Sequence, residues 1–183
     1  MIHSLPNITN DWTLFLDRDG VINKHMPDAY VTTLSEFEFI PDTLDALKIL
    51  ASIFHKIVIV TNQQGIGKGL MSSMDLEKIH FYMLEEISKH GGRIDAVYYC
   101  PYLSNIKPKC RKPEIGMALQ AKEAFPSIDF KKSIIIGDSP SDILFGKNIG
   151  AYTVLVKNKN LPSLSIEANL FVDSLNQFAS LFL

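Results

Sequence analysis

The stretch TLFLDRDG (residues 13–20) decides how the chain is read. Thr13–Leu16 is an apolar run too short for a helix, and it ends abruptly in acid, base, acid and glycine. Such a run reads as a strand buried on both faces. Strands of that kind belong to parallel sheets covered by helices on either side. The rest of the sequence repeats the alternation. IVIV (57–60), AVYY (96–99), SIIIG (133–137) and YTVLV (152–156) read as further strands, and NLFV closes the series before a helical SLNQFASLFL.

Amphipathic stretches lie between them. Residues 41–54 carry Leu44, Leu47, Leu50 or Ala51 and Phe54 at helical spacing, with Asp42 as N-cap and Asp45 at N3. Residues 72–90 place Leu76, Ile79, Met83 and Ile87 on one face and stop at Gly91-Gly92. Further helices are expected over 113–125 and from about 140 to 148. No repeat or linker divides the chain, and KNKNLPS (157–163) is the best loop candidate. The expectation is an α/β, Rossmann-like three-layer sandwich around a central parallel sheet, one domain over residues 1–183, with no large cap.

Composition narrows the class. The 183 residues carry a formal charge of −2, so bulk electrostatics draws the protein neither to nucleic acid nor to anionic lipid. Two cysteines are too few for the disulfide framework of a small secreted domain. The opening MIHSLPNITND lacks the basic and apolar regions of a signal peptide, and no apolar run approaches the roughly 20 residues of a membrane helix. A cytoplasmic enzyme is expected, with a monomer favoured.

Right-handed crossovers put every strand C-terminus along one edge of a parallel sheet, where ligands bind. The segments DRDG, TNQQGIGKG, CPYLSNIKPKCRKP and GDSPSD are therefore expected to be neighbours. Asp17 and Asp19 fall on the same side of an extended backbone. Two such carboxylates repel unless a cation or a proton intervenes. Asp138 arrives from the fourth strand, and together with Asp17 and a backbone carbonyl it makes the oxygen-rich site that Mg²⁺ prefers. A carboxylate there is a competent nucleophile towards phosphorus. Asp142 fits two roles, a capping residue in SPSD or a carboxylate behind the metal's direct ligands. Thr61, with Asn62 next to it, offers a hydroxyl and backbone N–H groups to a phosphoryl oxygen. Gly65, Gly67 and Gly69 do not have dinucleotide or Walker spacing and suit either close backbone approach or a plain turn. Lys112 supplies a positive charge against Asp17, and Arg111 a fork for a second anionic group.

Taken together, FLDRDGVIN, VTN, Lys112 and IGDSPSD resemble the four motifs of the haloacid dehalogenase superfamily of phosphatases. DRDGVIN, Tyr30-Val31, TNQQGIGKG and CRKPEIGM resemble more closely the D-glycero-D-manno-heptose 1,7-bisphosphate phosphatases and their histidinol-phosphate phosphatase relatives, over about residues 12–157. The resemblance implies that Asp17 is the nucleophile and Asp19 the general acid/base. It implies Mg²⁺ on Asp17, the Asp19 carbonyl and Asp138. Arg18, Thr61, Asn62, Arg111, Lys112 and the stretch after Asn23 would contact a small phosphorylated substrate, a sugar bisphosphate before others. TNQQGIGKG also resembles nucleic-acid 3′-phosphatases, a reading the acidic charge opposes; a catalytically silent scaffold is the other alternative.

The subfamily's zinc loop survives only as Cys100 and Cys110, with Tyr102 and Pro108 at the other ligand positions. Two thiolates do not complete a tetrahedral zinc site, and His80 and His90 lie too far along the chain to substitute. No zinc is expected, and the loop is left to its prolines (Pro101, Pro108, Pro113) and packing, or to mobility.

Overall fold

A computed structural model describes residues 5–26, 29–157 and 167–183. The strands are β1 (Thr13–Leu16), β2 (Lys56–Asn62), β3 (Ala96–Cys100), β4 (Ser133–Gly137), β5 (Tyr152–Val156) and β6 (Leu170–Val172). They lie in the order β3-β2-β1-β4-β5-β6, every neighbouring pair parallel. The chain winds outward from β1 through β2 to β3, then returns to β4 on the other side of β1. The switch point between β1 and β4 leaves a crevice at their carboxyl ends. Asp17 and Asp138 follow those two strands directly.

Side-chain alternation along the strands builds two cores. Leu14, Leu16, Ile57, Ile59, Ile134 and Ile136 face α1 (Thr43–Ile53), α2 (Ser73–Lys89) and α5 (Leu175–Ser180). Phe15, Val58, Val60 and Ile135 face α3 (Gly116–Ala124) and α4 (Pro140–Ile149). Leu14, Phe15 and Leu16 have no exposed surface, and burying each such side chain contributes about 1.5–3 kcal/mol. Among the described residues, no helix is long and apolar enough to cross a membrane.

The structure adjusts several expected boundaries. Asp42 precedes α1 but adopts a left-handed backbone (φ 62°) and makes no side-chain capping bond. An N-cap needs extended backbone to aim its oxygen at the first turn. The buried face of α1 is Thr43, Ala46, Leu47 and Leu50, with Leu44 only half-buried. The third helix begins at Gly116 rather than Pro113, because Glu114 N first donates to Arg111 O in a tight turn and Gly116 N reaches back across the loop to Lys109 O. In α2 the Ser72 hydroxyl accepts from Asp75 N and the Asp75 carboxylate accepts from Ser72 N, both at 3.1 Å, a reciprocal cap. The loop candidate 157–163 lies outside the described residues beyond Lys157.

Gly20 fixes how closely the β1 and β4 turns approach. Its φ is +83°, and a Cβ there would stand 2.1 Å from Asp138 Oδ2. Gly69 also has positive φ (+70°) but open space around it. Gly20→Ala is expected to cost about 1–3 kcal/mol in urea unfolding and clearly more than Gly69→Ala; equal losses would mean that backbone strain alone matters.

Candidate active site

The sheet edge delivers the site. Asp17 N donates to Ile136 O at 2.9 Å, extending the β1–β4 pairing by one residue and fixing where the carboxylate starts. Asp17, Asp138 and Asp142 are all buried, with a carboxylate oxygen of each within 4.8 Å of the others. Lys112 Nζ lies 2.8 Å from Asp17 Oδ1 and 2.5 Å from Asp142 Oδ1, and it donates to Val60 O at 2.7 Å. Asn62 clamps the Lys112 backbone from both sides, accepting from its N–H at 3.0 Å and donating to its carbonyl at 3.3 Å. Asp142 meets both of its expected geometries. Its Oδ2 accepts from the Ser139 N–H and hydroxyl at the start of α4 while Oδ1 faces Lys112.

Above these groups is a cavity of about 160 Å³. Asp17, Asp19, Thr61, Asn62, Lys112 and Asp138 line its floor, and His25, Met26, Ala29, Tyr30 and Val31 form one wall. The loop after β2 is tied to the loop after β3, since Gly67 N donates to Pro101 O at 2.9 Å. Arg111 stands beside this edge, and its buried Nη1 has no hydrogen-bond partner among the described residues.

Burial, with Asp142 and Asp138 close by, pushes the Asp17 carboxyl up to about 8 despite the opposing Lys112 charge. Burial alone would lower Lys112, but Asp142 and Asp17 outweigh it and hold the ammonium above its usual range. Burial would likewise raise Asp19. The Arg18 charge and hydrogen bonds from Arg18, Asn23 and Gln63 win, holding it below the ordinary carboxylate value. Asp17 is therefore an anion only at a cost, and a divalent cation among the three carboxylates would remove that cost. The donor set, hard oxygens close together beside an open cavity, fits such an ion.

Residues 109–177 match the family model described as HAD-hydrolase-like. The D-glycero-alpha-D-manno-heptose-1,7-bisphosphate 7-phosphatase of Mycobacterium bovis is 40% identical over 142 residues, covering 78% of this chain and 75% of that protein. The Campylobacter jejuni protein of the same name is 40% identical over 146 residues, 80% of this chain and 82% of that one. The chain belongs to the haloacid dehalogenase (HAD) superfamily and is a phosphatase. Among solved structures, the D,D-heptose 1,7-bisphosphate phosphatase of B. bronchiseptica complexed with magnesium and phosphate aligns with a TM-score of 0.81 at 28% identity. That alignment covers 93% of this chain and 97% of that one.

One expected substrate contact in this HAD phosphatase is placed elsewhere. Arg18 has no exposed surface. Its guanidinium turns under the cavity, where Nη2 donates to both Asp19 oxygens at 2.8 and 3.0 Å and Nη1 meets His80 Nε2 at 3.3 Å. Asn23 and Gln63 add bonds to Asp19 at 2.9 Å each, and Gln63 also donates to Thr61 Oγ1 at 3.0 Å. Gln63, Asn23 and His80 had no assigned part in the sequence reading. His80 was detectable as a polar residue on the apolar Leu76–Ile87 stripe of α2. Part of the stretch between Asn23 and Tyr30, residues 27 and 28, lies outside the described residues.

The loop after β3 is tied by a bond the sequence reading did not supply. Cys100 and Cys110 form a disulfide with Cα atoms 5.4 Å apart. It closes a short loop immediately before Arg111 and Lys112, and such closure contributes about 2–4 kcal/mol.

A raised Asp17 has a definite sign. Without divalent cations the folded chain holds a proton there that the unfolded chain releases near pH 4. Its stabilising contribution is complete below that pH and is lost as pH rises through about 8. In metal-free buffer the melting temperature of Asp17→Asn should therefore gain on wild type as pH rises from 5 to 9. A difference that stays constant over that range would contradict the raised Asp17.

Proposed function

We propose that this phosphatase is Mg²⁺-dependent, acts through an aspartyl-phosphate on Asp17, and removes the 7-phosphate of D-glycero-D-manno-heptose 1,7-bisphosphate. The observation that carries the chemistry is the buried Asp17–Asp138–Asp142 cluster with Lys112 set against Asp17. The substrate rests on the names of the 40%-identical relatives, which cover most of both chains.

Asp17, Asp138 and the backbone carbonyl of Asp19 would hold the ion, with Asp142 acting through Lys112 and Ser139 behind them. When bound, the ion neutralises phosphate oxygens and lowers the charge barrier to an anionic nucleophile. Asp17 attacks phosphorus, the ester oxygen leaves, and Asp19, which takes up a proton from solvent when the phosphate dianion binds beside it, gives that oxygen its proton. Asp19 then takes a proton from the water that attacks the phosphorus, and inorganic phosphate is released with Asp17 restored. Lys112 and Thr61 hold the transferring phosphoryl group. Asn62 acts indirectly, by fixing the Lys112 backbone. Arg111, with an unpartnered buried N–H, is suited to the second phosphate of the sugar. The loop after β3 carries no structural zinc in this reading, since sulfurs joined to each other are not thiolate ligands.

A phosphomonoester screen with Mg²⁺ tests the substrate. The heptose bisphosphates, both anomers included, should exceed histidinol phosphate and 3′-phosphorylated oligonucleotides by about 100-fold or more in kcat/KM. A preference for either of the latter would replace the heptose reading, and no turnover of any ester would favour a silent scaffold. Arg111→Gln should raise KM for the bisphosphate by roughly tenfold or more, in line with loss of a charge-assisted bond, and leave the sugar 7-monophosphate unaffected. Equal effects on the two would remove Arg111 from second-phosphate binding.

A further inference from the structure

We propose that His80 is a positioning residue: from the buried face of α2 it holds the Arg18 guanidinium in the orientation that presents the Asp19 carboxylate to the cavity. This rests on the reading of Asp19 as the proton donor.

Arg18 and Asp19 are adjacent, at a bend just past the end of β1 where the Val21, Ile22 and Asn23 N–H groups all donate to the Arg18 carbonyl. The guanidinium curls back onto its neighbour's carboxylate, and a long arginine side chain loses much rotamer freedom when held in one such shape. The curl therefore needs a second anchor. Among the described residues, His80 Nε2, 3.3 Å from Nη1, is the one partner of the Arg18 guanidinium besides Asp19. Arg18 is fully buried, and its Nε already lacks a partner among the described residues. Losing the His80 acceptor would leave another guanidinium N–H stranded, which favours a different side-chain position.

The chemistry of the pair fixes the state of His80. Arginine has donors and no acceptor, so Nε2 must offer a lone pair and the ring must be neutral, with its proton on Nδ1. Burial, together with the Arg18 charge, lowers His80 to about 3, so it keeps that form at any working pH. Tyr99 packs its ring edge against it at 6.1 Å. A lysine or protonated group there would repel Arg18, and leucine would fill the space without accepting a bond.

The test uses the leaving group as the gauge. A sugar alkoxide must receive a proton as it departs, whereas p-nitrophenolate departs without one. The ratio of kcat/KM for the sugar phosphate to that for p-nitrophenyl phosphate therefore reports proton delivery, and it does not change with the fraction of folded enzyme. Full loss of general-acid help is worth about 10²–10⁴-fold. His80→Leu, which loosens the donor without removing it, should lower the ratio by roughly 10-fold. His80→Gln, which restores an acceptor, should return it to near the wild-type value. Asp19→Asn is the reference and should lower the ratio most. If His80→Leu leaves the ratio unchanged while Asp19→Asn lowers it, or if both substrates lose equally, the positioning role is wrong and that of Asp19 stands. If Asp19→Asn itself leaves the ratio unchanged, the assignment of Asp19 as proton donor fails first.

Discussion

Among the described residues, three carboxylates and one ammonium share a buried pocket at the carboxyl end of the sheet, and that crowding is the constraint on which the site depends. Lys112 touches Asp17 and Asp142 but cannot neutralise both while Asp138 stands beside them. In a low-dielectric interior an uncompensated charge costs several kcal/mol, so one carboxylate takes a proton or a cation enters. Asp17 is the group that yields, raised to about 8. The same crowding that disfavours the free anion suits the pocket to a divalent ion and, with it, to a phosphate. An adaptation to binding charge is thus written as electrostatic strain in the metal-free chain.

Topology makes the crowding unavoidable. Parallel pairing of β1 with β4 places Asp17 and Asp138 at the ends of adjacent strands, and Gly20 lets their turns meet where any Cβ would overlap. Lys112 arrives from the loop after β3, two strands away. It needs three holds to arrive correctly: Asn62 on its backbone, Val60 O on its ammonium, and the disulfide at the root of its loop. A second tier lies below, where Arg18, Asn23, Gln63 and His80 surround Asp19. Asp17 and Asp19, two residues apart, thus receive opposite treatments: one is pushed towards neutrality, the other held as an anion by a buried arginine.

The parallel sheet and the convergence of its loops were legible because both depend on local patterns. Four-residue apolar runs identify doubly buried strands, and a parallel sheet leaves their ends no choice of edge. Asp17, Thr61, Lys112 and Asp138 reach the same edge for that reason. Features that depend on partners remote in sequence were not legible. Arg18 lies between two aspartates and reads as a substrate contact, yet its direction is set by a histidine 62 residues away. Cys100 and Cys110 read as the remnant of a ligand set, and only the folded loop brings their sulfurs together. Asp42 has the identity of a cap without the backbone angles for one, and the start of α3 was misplaced because Pro113 permits either a first helical turn or a preceding loop.

The central claim is that the crowded Asp17 carboxylate itself takes the phosphoryl group. Each in-line displacement inverts phosphorus, so transfer to Asp17 followed by transfer to water gives net retention, whereas direct attack by water gives inversion. The stereochemical course with a substrate ester made chiral at phosphorus by oxygen isotopes decides between them. Retention is predicted, and inversion would contradict a covalent role for Asp17.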